Sequence, residues 1–323
     1  MGEQDQPVFP TRMARLNAGD VIAERYDVER ILGRGGMGEV YLVQDRDTGQ
    51  RLALKTLLPQ YAEHKRAIQR FIREVNVLRQ LDHPSIVRTY DAGQSDELLY
   101  YTMDYVEGKS VRTWLLKRGR LGVGSTVRIL SLLCHALEHA HQYTIHRDLS
   151  PDNVMILSDG SIKLLDFGLA KLVDAEAGFT RIGVRLGKYE YSAPEQNLNA
   201  AQVDHRADIY SIGVMFYEML SGQLPRSGQR LTDLVPFLPP ECDAFVEKAM
   251  ARVPEDRFAN AREVRSALAQ IYDIYTGKAA QAARQRKRPA AALRRWITHF
   301  GRRWFRFGKQ PVTDPDKRDS RRQ

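Results

Sequence analysis

The chain has 323 residues, 43% hydrophobic and 28% charged, enough to bury one large two-lobed domain or two ordinary ones. Two cysteines, Cys134 and Cys242, exclude a disulfide framework and fit a reducing compartment, while the lack of an apolar run of about 18 residues excludes a spanning helix. The net charge of +9 is unevenly placed: residues 278–323 hold 15 Lys and Arg against 3 Asp, a surplus of +12 that leaves −3 on the remainder.

Residues 1–23 begin with the polar, proline-containing MGEQDQPVFP. No basic region leads into an apolar run, so no signal peptide is expected, and the segment reads as a flexible lead-in. From Tyr26 the pattern becomes strand-like: YDVERIL, GRGGMG, EVYLVQD, a turn at DTGQ, then RLALKTL. Alternating apolar residues on both sides of a glycine turn predict a hairpin. Gly33, Arg34, Gly35, Gly36, Met37 and Gly38 fit G-x-G-x-x-G. That motif is weak alone, and a dinucleotide site would place a helix straight after it. Here a strand follows, which suits a loop laid over phosphates. Glycines let backbone N–H groups approach a phosphate closely.

Lys55 lies inside the apolar strand LALK, where an ammonium needs a partner. In the next segment Ile68, Phe71, Ile72, Val75 and Leu78 form a helical stripe, and Glu74 beside it is the natural mate for Lys55. DHPSIVRTYDAG and ELLYYTMDYVEG predict two further strands. Gly124 to Tyr143 predicts a helix that packs Cys134 in the core. Its histidines, His135, His139 and His141, have no carboxylate or cysteine cluster placed with them, so core or surface roles are expected rather than metal binding.

The stretch from Thr144 to Gly168 carries the chemistry: TIHRDLSPDN, VMILSDGSIKLL, DFG. Asp148, Asn153 and Asp166 sit on short loops between apolar runs, where functional groups are commonly presented. Asn153 and Asp166 offer hard oxygen ligands suited to Mg²⁺ shared with phosphate. Asp148, five residues before Asn153, is placed to orient a hydroxyl. The pattern fits H-R-D-L-x-x-x-N followed by D-F-G. With the glycine loop and Lys55, the sequence resembles the eukaryotic-like (Hanks-type) serine/threonine protein kinases of bacteria over about residues 24–275.

That resemblance implies an α+β, bilobal protein-kinase fold. Residues 24–107 would form a β-rich N-lobe with one main helix, residues 108–277 a helical C-lobe, and residues 278–323 a tail. It implies a cleft for ATP with Mg²⁺ or Mn²⁺, and transfer of the γ-phosphate to protein Ser or Thr. Lys55 becomes the strand lysine on the α- and β-phosphates, paired with Glu74. Met103 becomes the gatekeeper, with the main chain of Asp104 and Val106 at the adenine edge and Val40, Ala53 and Met155 around the purine. Asp208, opening the apolar helix ADIYSIGVMFYEMLSG, would hold the catalytic-loop backbone, and Arg257 would pair with Glu195 of Ala193-Pro194-Glu195. Thr180 is the only Ser or Thr between Gly168 and Tyr191. A phosphate there would carry about −2 charge and suit Arg147, so Thr180 is the expected autophosphorylation site.

Two departures stand out. Ser150 replaces the lysine usual two residues after the catalytic aspartate, and Lys188 follows Gly187 where threonine is usual, so Lys188 is a candidate to supply the missing ammonium from the opposite side. The interval Pro225 to Phe245 lacks a periodic apolar stripe, so the family's helix G is expected to be reduced. In the tail, Leu293, Trp296, Ile297, Phe300 and Trp304 lie among arginines at helical spacing. Binding to an anionic membrane surface or acidic partner, docking on the chain's own C-lobe, and disorder all remain open for it. Expected partners are Ser/Thr protein substrates and a cognate phosphatase, not nucleic acid. The expected location is the cytoplasm, including the inner membrane face. A nucleotide-gated scaffold without transfer is the alternative function: Lys55, Asp148, Asn153 and Asp166 speak against it, and Ser150 and the short helix-G interval speak for it.

Overall fold

A computed structural model describes residues 16–35, 38–57, 65–95, 98–167, 189–198 and 203–285. The N-terminal part is a sheet of six strands, β1 (Val21–Ile22), β2 (Tyr26–Gly35), β3 (Gly38–Asp45), β4 (Arg51–Thr56), β5 (Thr89–Ser95) and β6 (Leu98–Asp104). They lie in the order β1-β2-β3-β4-β6-β5, all antiparallel. Strand periodicity sends alternate residues to opposite faces. Leu52 and Leu54 therefore close one face with Tyr26, Val28, Tyr41 and Tyr100. Ala53 joins the main core on the other face, with Tyr101, Met103 and Phe71. Bulges between Val28 and Arg30 and between Ile31 and Gly33 bend the β2–β3 hairpin.

Helix α1 (Lys65–Leu78) packs through Phe71, Val75 and Leu78, one side of a 3.6-residue repeat. The sheet begins earlier than the expected boundary at residue 24. Val21 pairs with Asp27, and Ile22 is 2% exposed; the lead-in reading overlooked two residues whose burial comes from the sheet edge rather than from local pattern.

The C-terminal part is mainly helical: α2 (Val111–Arg118), α3 (Val123–Ala140), α4 (Pro194–Leu198), α5 (Arg206–Ser221), α6 (Leu231–Leu234), α7 (Glu241–Ala249) and α8 (Ala261–Gln285). A small sheet, β7 (Lys109–Ser110), β8 (Val154–Ile156) and β9 (Ile162–Leu164), lies among them. Helix α5 is buried from Ala207 to Leu220 on nearly all sides, the condition of a central helix. Gly213 sits where a Cβ would come 2.8 Å from Met250 Cγ and 2.9 Å from Ala249 Cβ, so its missing side chain sets how closely α7 approaches.

The interval from Pro225 to Phe245 contains one four-residue helix, α6, before α7 begins. Helix α8 runs to Gln285, past residue 278, where the tail was expected to begin. Alanine, glutamine and arginine in AAQAARQ are good helix formers, so the segment continues the helix rather than breaking it. The two parts are joined by main chain: the Val87 N–H donates to Leu164 O at 3.1 Å and the Leu164 N–H to Ser85 O at 2.8 Å.

Candidate active site

Between the parts lies a cavity of about 1000 Å³, at the upper end of the range for ligand pockets. Its lining includes Gly33, Arg34, Gly38, Val40, Ala53, Lys55, Met103, Asp104, Val106, Asp148, Asn153, Met155 and Asp166. Thirteen residues chosen from sequence therefore converge on one space. Gly35 and Glu74 are not among its lining. Gly36, Met37 and Lys188, with Gly187 and Thr180, fall outside the described residues, as does the tail beyond Gln285.

The roof comes from the glycine hairpin. Gly35 pairs with Gly38 and Arg34 with Glu39. The Arg34 guanidinium lies 3.0 Å from the Glu39 carboxylate, which Tyr41 also bonds through its hydroxyl. A Cβ on Gly38 would overlap the Thr56 carbonyl oxygen. That glycine is needed for the hairpin to lie down on β4, a packing reason additional to backbone access.

The floor comes from the loop before β8. Asp208 of α5, fully buried, accepts from the backbone N–H of His146 at 2.9 Å and of Arg147 at 2.8 Å, and from His141 Nε2 at 2.9 Å. Arg147 reaches this geometry with φ 64°, a left-handed conformation uncommon outside glycine. Burial favours the neutral form of the Asp208 carboxyl, yet the His141 bond and these donors hold it below the usual carboxylate range. His146, also buried, donates from Nε2 to Leu165 O at 2.8 Å and accepts from the Asp148 N–H at 3.3 Å through Nδ1. Burial pulls its pKa below the usual histidine value. Its ring lies 4.6 Å from that of Phe167.

Asn153 donates from Nδ2 to Asp148 O at 2.7 Å and Asp148 Oδ2 at 3.3 Å. Those bonds orient the amide so that its oxygen is the end available to a cation. Asp166 follows β9 at φ 50°. Its Oδ1 lies 2.9 Å from Lys55 Nζ and accepts from the Tyr101 hydroxyl at 3.1 Å. The predicted Lys55–Glu74 pair is not formed. The register of β4 on β6 sets Lys55 opposite Tyr101, which brings ammonium and phenol to the same oxygen of Asp166. Burial lowers the pKa of the Arg147 guanidinium, and the charge of Glu74 opposes that shift.

Ser150 is buried at 1% exposure and its hydroxyl has no hydrogen-bond partner among the described residues. It is turned into the protein rather than offered to the cavity. Glu195 and Arg257 form the expected pair, bidentate at 2.6 and 2.7 Å. His83 and His135 bond each other at 2.9 Å, and among the described residues no group of three or more His, Cys, Asp or Glu is placed to hold a metal ion. A divalent cation at Asn153 and Asp166 would therefore need other oxygens, such as phosphate, to complete its shell.

Tyr101 and Arg112 are among the lining residues that were not selected from sequence. Tyr101 shares the parity of Met103 on β6, so its face was legible but its bond to Asp166 was not. Arg112, in the first turn of α2, lines the same cavity and reads in sequence as one more surface base.

Residues 26–267 match the protein kinase domain. The chain is 32% identical over 271 residues to the serine/threonine-protein kinase PrkC of Bacillus subtilis, covering 79% of this chain and 42% of that protein. It is 34% identical over 273 residues to the serine/threonine-protein kinase PknB of Mycolicibacterium smegmatis, covering 78% and 44%. The chain thus spans less than half the length of these curated relatives. Among solved structures, the Mycobacterium tuberculosis PknI kinase domain superposes with a TM-score of 0.67 at 33% identity, covering 80% of this chain and 100% of that one. Among the described residues no helix is long and apolar enough to cross a membrane.

Proposed function

The chain belongs to the protein kinase family, and on that premise we propose that it transfers the γ-phosphate of ATP to Ser or Thr hydroxyls of proteins. The observation that carries this reading is the convergence of Lys55, Asp148, Asn153 and Asp166 on one cavity. Phosphoryl transfer asks mainly for positioning and charge stabilisation. Lys55 supplies the ammonium for the phosphates, and the hairpin of Gly33 to Gly38 covers them. The β6 end, from Met103 to Val106, takes the adenine, with Val40, Ala53 and Met155 against its faces. Asp148, held by His146 and Asn153, accepts the hydrogen bond of the attacking hydroxyl. Asn153 and Asp166 would hold Mg²⁺ or Mn²⁺, which when bound neutralises charge on the phosphate oxygens.

The finer assignments follow from the same reading. Thr180 is the autophosphorylation site, and its phosphate is received by Arg147. Lys188 supplies the ammonium that buried Ser150 does not. The basic tail contacts an anionic membrane surface or an acidic partner, with the catalytic part in the cytoplasm and a phosphatase reversing the Thr180 mark.

Incubating the purified chain with labelled ATP and Mg²⁺, followed by mass spectrometry, tests the proposal. Wild type should incorporate phosphate, with Thr180 among the modified sites. Asp148→Asn should be slower by roughly 10²–10⁴-fold, the usual contribution of a positioned proton acceptor. Equal incorporation by the two proteins would refute the role of Asp148.

A further inference from the structure

Beyond the nucleotide residues, the cavity continues past Asp148 to Arg112, Asp152, Glu190, Tyr191 and Leu224. A second depression of about 560 Å³ shares Glu190 and Leu224 with it and extends toward Pro225 and Met250. A peptide carrying a hydroxyl to Asp148 would lie along this path. Its walls are rich in carboxylate, and acidic walls ordinarily attract basic side chains.

Arg112 changes that expectation. Ser110 caps α2 by accepting the Thr113 N–H at 3.1 Å, and the Arg112 N–H donates to Pro151 O at 2.9 Å. The first turn is thereby fastened to the loop that carries Asp148. From there the guanidinium donates to Glu218 Oε1 at 2.5 Å, to the Tyr191 hydroxyl at 2.6 Å and to Asp152 Oδ2 at 3.3 Å. Tyr191 closes the ring by donating to the other Glu218 oxygen, and its backbone carbonyl accepts from Ser211 of α5 at 2.7 Å. Glu218 comes from the central helix and its side chain is 8% exposed. A buried carboxylate of that kind requires a cation, and the chain supplies its own.

We infer that Arg112 is a specificity-determining residue of the substrate path: it occupies the place between Asp152 and Glu218 that a substrate's arginine or lysine would take, and so cancels one of the two carboxylate charges of an acidic subsite beside Asp148 and fills the space between them. The preferred peptides therefore carry no basic side chain at the position facing this pair. The inference rests on the phosphoryl-transfer reading only in needing a peptide substrate. It names the chemistry such a peptide should lack.

The test uses the full chain, a Ser/Thr peptide with alanine flanks, and matched peptides with one arginine at each flanking position in turn. Binding is read by fluorescence anisotropy and transfer by phosphate incorporation. Wild type should bind the arginine and alanine peptides with a ratio near one at every position. Arg112→Met, which keeps the apolar stem, should favour arginine at one position by about tenfold, the contribution of a hydrogen bond between charged groups. Adding Asp152→Asn and Glu218→Gln should return the ratio to one. Wild type already preferring arginine, or Arg112→Met indifferent at every position, overturns the inference. Should Arg112→Met fail to fold, Arg112→Met with Glu218→Gln leaves no unpaired buried charge and keeps Asp152. A gain of about threefold is expected there, and indifference again overturns the idea. Peptide preference that switches while no protein transfers phosphate would support Arg112 and defeat the kinase reading.

Discussion

Two ion pairs in this molecule are made from similar chemistry and held in opposite ways. Arg257 is enclosed, its side chain 0% exposed. Nε donates to Ala251 O at 2.8 Å, Nη1 to Glu195 at 2.6 Å and Arg206 O at 3.0 Å, and Nη2 to Glu195 at 2.7 Å and Arg252 O at 3.3 Å. All five guanidinium N–H groups are used, with the Tyr210 ring 5.1 Å away. Lys55 reaches Asp166 at 2.9 Å, and both side chains still face the cleft, at 18% and 24% exposure. A saturated pair can only be broken. A pair with one short contact at the edge of a cavity can be exchanged. The difference marks the first as structural and suits the second to the role proposed for it in the cleft.

The largest effect should come from attacking the enclosed pair. Arg257→Met leaves Glu195 without its cation and strands three backbone carbonyls. Removing one partner of a buried pair costs about 3–5 kcal/mol, readable as a lower urea midpoint with an unchanged slope. Lys55→Met should cost under about 1 kcal/mol in the same experiment, while labelled phosphate incorporation collapses. If the two substitutions destabilise equally, the contrast drawn between the pairs is wrong.

A smaller effect separates the parts of the cleft pair. Tyr101→Phe removes one donor to Asp166 Oδ1 and leaves Lys55 in place. Supporting bonds of this kind typically change metal affinity by 10–100-fold. Because Lys55 remains, about tenfold is expected in the Mg²⁺ concentration for half-maximal transfer, with the rate at saturating Mg²⁺ little changed. A fall in the saturated rate with no change in Mg²⁺ dependence would place Tyr101 in the packing against Phe71, 6.1 Å away ring to ring, and not in the positioning of Asp166.

The same contrast explains what was legible in the sequence. Asp148, Asn153 and Asp166 were readable because their chemistry depends on residue type at fixed short spacing. Glu195 and Arg257, sixty-two positions apart, were readable through the family resemblance alone. The choice of Lys55 for Asp166 over Glu74 was not readable. It depends on strand register and on which carboxylate lies within 3 Å, and both are properties of packing. Arg112 was hidden for a related reason: its partners lie 40, 79 and 106 residues away, and no local pattern announces a contact of that range. The sheet edge at Val21 and Ile22 and the helical run to Gln285 were missed because a short strand and a polar helix carry little periodic signal.

The smallest predicted effect concerns acid, and it again divides the cleft from the enclosed pair. His146 is neutral and doubly bonded beneath Asp148, and burial holds its pKa below the usual value near 6.5. His83, desolvated and close to His135, His139 and Lys163, is shifted the same way. For such groups the unfolded chain binds more protons than the folded one, so stability falls as pH drops below about 6.5 and continues to fall toward the folded pKa. Protonating His146 at Nδ1 also sets a proton against the Asp148 N–H. The melting temperature should therefore decline between pH 7 and 5, ahead of the further loss at lower pH when Asp208, whose pKa is depressed, takes up its proton. His83→Gln should remove part of the decline and leave the His146 part. The decline should persist in Arg257→Met, whose pair holds no histidine. A melting temperature flat from pH 7 to 5 would mean that neither imidazole is held neutral by the fold.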